Sequence, residues 1–368
     1  LWAWIASITA VAYLGGPWAL LLLGIDASPG LVVAAAAGVL AVAFAVNAWG
    51  VHALRRLARV GVGAELAGTA LVALLLLALA PEQDPSILGE TLGAQASSGG
   101  STLAAMLAAV AVAGWVFLGF DAVVAASEET RGADRHVPRA VWLSALLVGA
   151  LVGLTAVAVT LGHPDPGAVV SGRDADPIAS AVVGALGGWS TRPFAAVVLL
   201  AFVACATAAL AAGSRNLLSI ARDGVLPGAR ALARVDRRGV PVPALAAIAL
   251  PAAAGLALGL EQSAIGTFIA FGTAVPYVAF LLIAVAALHA RTRGGWRAAG
   301  PVRLGRAGLA LNVAAVAWLA FETVNVAWPR EALAGPGAPW YQVWAAPLLV
   351  AAVLAAGGAW LALSRGRG

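Results

Sequence analysis

Apolar stretches of about 20 residues recur along the chain, and they constrain its fold more than any motif. A segment of that length covers ~30 Å of hydrocarbon as an α-helix. Helix is required there, because lipid offers no partner to backbone N–H and C=O groups. Ten such segments are read, at about 1–24, 31–49, 62–80, 102–127, 139–162, 194–220, 242–260, 264–289, 306–328 and 341–363. Across the 368 residues, 62% are hydrophobic and only 11% charged, against about 25% charged in an ordinary globular domain. So few charges cannot cover a soluble surface. The composition excludes an ordinary soluble enzyme, a disordered chain, a disulfide scaffold and a nucleic-acid binder. The expected fold class is an all-α polytopic membrane protein with ten spans.

The charges that remain are ordered. All 22 basic residues are Arg, and the net charge is +5. Nineteen fall in alternate loops: Arg55, Arg56 and Arg59; Arg131, Arg135 and Arg139; six between Arg215 and Arg238; five between Arg291 and Arg306; then Arg365 and Arg367. The opposite loops hold only Arg173, Arg192 and Arg330. The positive-inside rule puts the Arg-rich side in the cytoplasm. An even number of spans puts both ends of this chain there too, in a cell (plasma) membrane. The basic charge is therefore an orientation device that also suits anionic headgroups. The lipid bilayer is the expected partner, with no nucleic acid. The longest outer loops, 81–101 and 163–193, are rich in Pro, Gly, Ser and Asp, and the second suits a short interfacial helix near 177–187. The single cysteine, Cys205, allows no intramolecular disulfide.

Punctuation within the segments is informative. Gly15-Gly16-Pro17 in the first and Pro276 in the eighth are positions where a helix breaks or kinks. A break survives in a bilayer only where protein or a water cavity covers the freed groups. A passive kink is the alternative at both. The fourth segment carries Gly114-Trp115-Val116-Phe117-Leu118-Gly119-Phe120-Asp121. Gly119 lets the backbone leave the helix, and unwound backbone at membrane depth binds polar substrates. Trp115, Phe117 and Phe120 would wall such a site. The same residues also suit aromatic packing around a glycine contact, and both readings stay open on residue chemistry.

Three acids, Glu65, Asp121 and Glu322, lie within segments. Each needs a partner, a proton or water. Glu65 lies near Arg59 and can snorkel. Asp121 follows the Gly119 break and suits proton coupling or gating. Glu322 can pair with Asn325 one turn on. Between segments, Glu128 and Glu129 can pair with Arg135 or Arg139 as a clamp near an inner gate, and Pro138 suits a first helical position. Ala221-Arg222-Asp223-Gly224-Val225-Leu226-Pro227 reads as a helix stop, with Gly224 at C′. On physics alone, helix termination and orientation are the favoured reading of both loops. His52, His136, His163 and His289 lie in loops or at segment ends, and no hydrolase or metalloprotease motif accompanies them. No metal site is read.

Phe117-Leu-Gly-Phe-Asp121, the run from Glu128-Glu129-Thr130 to Pro138-Arg139-Ala140, and Ala221 to Pro227 occur in this order. Together with Pro241-Val242-Pro243 and Trp318…Trp328-Pro329, they resemble the amino acid–polyamine–organocation superfamily. The likeness is strongest to bacterial amino acid permeases and the amino acid/choline branch. It implies a leucine-transporter-type five-plus-five inverted repeat lacking its first two helices, which would precede Leu1. Residues 1–80 would be the remaining three helices of repeat one, 102–290 the five of repeat two, and 306–363 two additional helices.

The resemblance implies a secondary active transporter of amino acids or related amines, working by alternating access, and not an enzyme. Substrate would meet Trp115, Phe117, Leu118, Gly119 and Phe120. Ser7 matches a polar position, and Trp115 an aromatic gate, of the family's arginine/agmatine antiporter. Asp121, Glu128, Glu129 and Arg139 would serve coupling or gating. Ala209 falls where that antiporter has a second Trp, which argues against an arginine-like substrate. No cofactor is implied. The coupling ion, proton or sodium, stays open because the sodium site draws on a helix before Leu1, and the oligomeric state is open too. The alternative reading is a non-transporting accessory subunit or an inactive transporter fragment.

Overall fold

The structure is a computed structural model. It describes residues 1–96, 100–125, 127, 130–174, 176–296, 301, 304–305, 307–330 and 339–365, side chains excepted at 262–271, 361, 364 and 365. Among the described residues there is no strand. The helices are α1 (Trp2–Leu23), α2 (Pro29–Trp49), α3 (Val51–Leu79), α4 (Thr102–Val116), α5 (Ala122–Ala125), α6 (Ala133–Gly162), α7 (Pro166–Val170) and α8 (Pro177–Leu186). They continue with α9 (Thr191–Arg222), α10 (Ala229–Leu232), α11 (Val242–Gly255), α12 (Gln262–Thr292), α13 (Ala307–Ala327), α14 (Trp340–Val343) and α15 (Ala345–Arg365).

Eight stretches of described helix are long and apolar enough to cross a membrane. The other two of the ten expected segments hold shorter apolar helix, Thr102–Val116 and Ala345–Trp360. The first of these is short because its helix breaks. Of the two readings open at Pro17 and Pro276, a break or a passive kink, the structure has no break at either. α1 runs through Pro17, and α12 through Pro276. The missing proline N–H costs one hydrogen bond, and close packing around the adjacent glycines holds each helix together. In α1 a Cβ on Gly16 would lie 2.7 Å from the Val32 carbonyl oxygen, and one on Gly15 would lie 3.1 Å from Phe202 Cβ. In α12 a Cβ on Gly272 would lie 2.9 Å from Ala6 Cβ. These glycines bring helices close, as small residues do in bilayers. Pro138 departs from expectation. It lies inside α6, which starts earlier, at Ala133.

The chain divides into two compact units. One comprises residues 11–109 and 144–208. In it, Gly61 of α3 lies against Ala204 of α9, and Asn47 Nδ2 donates to the Thr207 carbonyl at 3.0 Å. Ser28 caps α2, with Pro29 following at the first helical turn. The other unit comprises residues 1–10, 110–143 and 209–368. It is organised on α12, which packs along α13 and α15. Thr9 of α1 donates to the Ala252 carbonyl of α11 at 3.0 Å, and Trp360 Nε1 of α15 donates to the Val225 carbonyl at 2.7 Å.

The segment after α6 is tied down by polar groups. Asp165 caps α7 and Asp176 caps α8, each followed by Pro. The α8 helix is the short one expected near 177–187, and it packs Ala181 on Ala73 and Leu76 of α3 and Ala158 of α6. His163 is buried, its Nδ1 accepting the Asp165 N–H and its Nε2 bonded to Asp174 at 2.9 Å. The Ser180 hydroxyl first, then His163 and the Asp176 N–H, hold the Asp174 carboxyl below the usual carboxylate range, while burial pushes that of Asp176 up. A depressed carboxyl stabilises above its unfolded pKa of ~3.9 and loses this as pH falls through its folded value. Asp176 acts with the opposite sign, so a variant must separate them. Asp174→Asn is expected to speed hydrogen exchange of amides 165–180 at neutral pH. Wild type should show that acceleration only below about pH 4, after correction for intrinsic rates.

Candidate functional site

The helical ladder of α4 stops at Val116, and residues 117–121 form turns before α5 resumes at Ala122. The cause is local. Gly119 has φ +105°, where an L side chain is strained. Tighter bonds take over from the ladder, from Leu118 N–H to the Trp115 carbonyl at 3.1 Å and from Ala122 N–H to the Gly119 carbonyl at 3.0 Å. The Asp121 carboxylate faces the backbone N–H groups of Gly119 and of Asp121 itself. A Cβ on Gly119 would meet nothing within 4 Å, so glycine is required there by backbone conformation and not by space.

The residues expected at the break go different ways. Trp115 is half-buried, and Phe117 is 41% exposed. Leu118 packs on a core of Ala111, Ala274, Tyr277 and Val326. Phe120 meets Phe280 of α12, ring centroids 5.2 Å apart. Ser7 is half-buried on α1, between Ala6, which Gly272 approaches, and Thr9, which bonds α11. Arg139 is exposed on α6. Glu128 and Glu129 lie outside the described residues. Among the described residues no group of three or more His, Cys, Asp or Glu gathers to hold a metal.

Two contacts were not anticipated from the sequence. The first joins Gly114 to Tyr277, whose hydroxyl stands where a Gly114 Cβ would be, 2.3 Å from its ideal position. The second joins Arg330 to Asn325, through the backbone carbonyl and through Oδ1. The first pairs residues far apart in the sequence, and the second reaches back from beyond a helix end. The only sequence signals were Gly114 itself and the Pro276-Tyr277 dipeptide. The helix stop after α9 is as expected. α9 ends at Arg222, Gly224 has φ +73°, and its N–H bonds the Ala221 carbonyl at 3.1 Å.

A sequence profile of the family described as Amino acid permease matches residues 1–353. An uncharacterized amino-acid permease of Schizosaccharomyces pombe is 26% identical over 219 residues, which is 58% of this chain and 39% of that protein. A protein of Macrophomina phaseolina named as an amino acid/polyamine transporter is 30% identical over 57% of this chain and 48% of its own. The vacuolar cationic amino acid transporter 2 of Arabidopsis thaliana is 29% identical over 50% of this chain and 28% of its own. The matched segments thus span less than half of each relative. With apolar helices long enough to cross a bilayer many times and a family match over nearly its whole length, this multi-pass membrane protein belongs to the amino acid permease family.

Proposed function

We propose that this protein is a secondary active transporter of amino acids or related amines, working by alternating access. The observation that carries the reading is the break of α4 at residues 117–121, inside a chain of the permease family. Unwound backbone offers N–H and C=O groups to the charged ends of an amino acid at membrane depth. Trp115 and Phe120 close over the apolar part, Phe117, Leu118 and Gly119 line the break, and Ser7 adds a polar contact. Asp121, at the end of the break, gates or couples, and Arg139, Glu128 and Glu129 serve the same gating or coupling. The five-plus-five repeat and the cytoplasmic placement of both chain ends, in the cell membrane, belong to the same reading. Alternating access requires ligand and ion to bind the two states with different affinity.

The test is uptake and exchange of radiolabelled amino acids and amines by the complete gene product in proteoliposomes, under proton and sodium gradients. Transport of at least one compound is expected. No transport of any, by protein that is folded and oriented, overturns the reading. Trp115→Ala is expected to raise KM for the transported compound, because it removes a wall of the site. An unchanged KM would remove Trp115 from the site and leave the transporter standing.

A further inference from the structure

Glu322 lies on α13 and is 1% exposed. Its Oε2 accepts one long bond from Asn325 Nδ2 at 3.5 Å, and its Oε1 has no hydrogen-bond partner among the described residues. An ionised carboxylate in such a place needs a cation or several donors. Arg330, the cation at hand, acts on it by charge but makes no direct ion pair with it. Arg330 turns its guanidinium to the carbonyl and to Oδ1 of Asn325, so the Asn325 amide stands between the two charges.

The surroundings of Glu322 are otherwise poor in charge. On α12 the titratable group that packs against α13 is Tyr277, beside Val326. His289 and Arg291 lie at the far end of α12. α4 carries no titratable residue, and α15 carries only Arg365 at its far end. Tyr277 shares one apolar cluster with Val326 and Leu319 of α13, Ala111 of α4, Leu118 of the break and Val350 of α15. Its hydroxyl also abuts Gly114, five residues before Gly119, with no space between.

We propose that Glu322 is a proton-binding site of the carrier, and that Tyr277 links its protonation to the broken helix α4. This rests on the transporter reading. A proton from water on the side of Arg330 adds to a Glu322 carboxylate oxygen, forming one O–H bond. The acid is then neutral, and Arg330 stays with Asn325 as observed. Loss of that proton to water leaves a carboxylate that draws Arg330 and the Tyr277 hydroxyl towards itself. Because the hydroxyl fills the space beside Gly114, its movement is felt by α4.

Infrared difference spectroscopy of the purified protein between about pH 5 and pH 9 tests the site directly. Wild type is expected to show a protonated-carboxyl C=O band that fades with rising pH and is lost in Glu322→Gln. A band that persists in Glu322→Gln, or no such band in wild type, overturns the proposal. Should Glu322→Gln fail to fold, Glu322→Asp decides. A band moved from its wild-type position supports the proposal, and an unmoved band overturns it. In proteoliposomes, the ratio of amino-acid uptake with an inward proton gradient to uptake without it should fall to unity in Glu322→Gln. A ratio equal to wild type overturns the coupling role. If wild type transports nothing, the transporter reading fails, and the infrared result still decides whether Glu322 binds a proton.

Discussion

Replacing Gly114 with Ala will cut amino-acid uptake, and removing the Tyr277 hydroxyl will give part of it back. The added Cβ would fall 2.3 Å from Tyr277 Oη and 3.2 Å from Cζ. Tyr277 is 8% exposed, wedged among Ala111, Ala274 and Val326, so the ring cannot swing away freely. Overpacking of this kind costs about 1–3 kcal/mol. If the strain falls on one state of the transport cycle, each ~1.4 kcal/mol is a tenfold change in rate. In Gly114→Ala/Tyr277→Phe the oxygen is gone and the remaining contact is with a ring carbon, which needs a shift of only a few tenths of an ångström. The two positions should therefore be non-additive, with the double variant faster than Gly114→Ala alone. Uptake rates of the four proteins, normalised to folded material, measure this. A double variant no faster than the single would show that the hydroxyl is not the obstacle.

That contact also shows where sequence reading stops. The segments themselves are legible, because only a long apolar helix can sit in hydrocarbon. The second is read at 31–49 and found as α2, Pro29–Trp49. At Gly119 glycine amid aromatics leaves a break and aromatic packing both open, and the structure has the break, whereas the α9 stop at Gly224 is legible outright. At Pro17 and Pro276 the sequence leaves break and passive kink open, because a local rule about hydrogen bonds competes with packing that the sequence does not display. Gly16 against Val32 and Gly272 against Ala6 bring in residues from other helices. α3 begins at Val51, well before its apolar run, because a basic amphipathic stretch around Arg55, Arg56 and Arg59 extends it. At the candidate site, the break is local, whereas its support by Tyr277 joins residues more than 160 positions apart. The same holds for Arg330, which reaches back past the end of α13 to Asn325.

Gly61→Ala is the substitution expected to cost most in stability. A Cβ there would lie 2.3 Å from the Cβ of Ala204 and 3.7 Å from its Cα. Unlike the end of a flexible side chain, an alanine Cβ is fixed to the backbone, so α3 and α9 themselves must part. Parting them strains neighbouring contacts as well. A Cβ on Gly68 would already touch Val197 at 3.0 Å, and on α9 the Thr207 carbonyl holds Asn47 of α2 at 3.0 Å. In a bilayer, water does not drive the helices back together, because lipid tails are as apolar as the separated faces, and the close van der Waals fit is lost outright. The loss should exceed the ~1 kcal/mol that Ala gains over Gly by helix propensity. Gly63→Ala supplies the control, since a Cβ there meets nothing within 4 Å and the propensity gain acts alone. Thermal unfolding followed by size-exclusion chromatography should rank Gly63→Ala at or above wild type and Gly61→Ala well below both. Gly61→Ala/Ala204→Gly moves the methyl group from one helix to the other and should recover most of the loss. Equal melting of Gly61→Ala and Gly63→Ala would mean that α3 and α9 do not meet at this glycine.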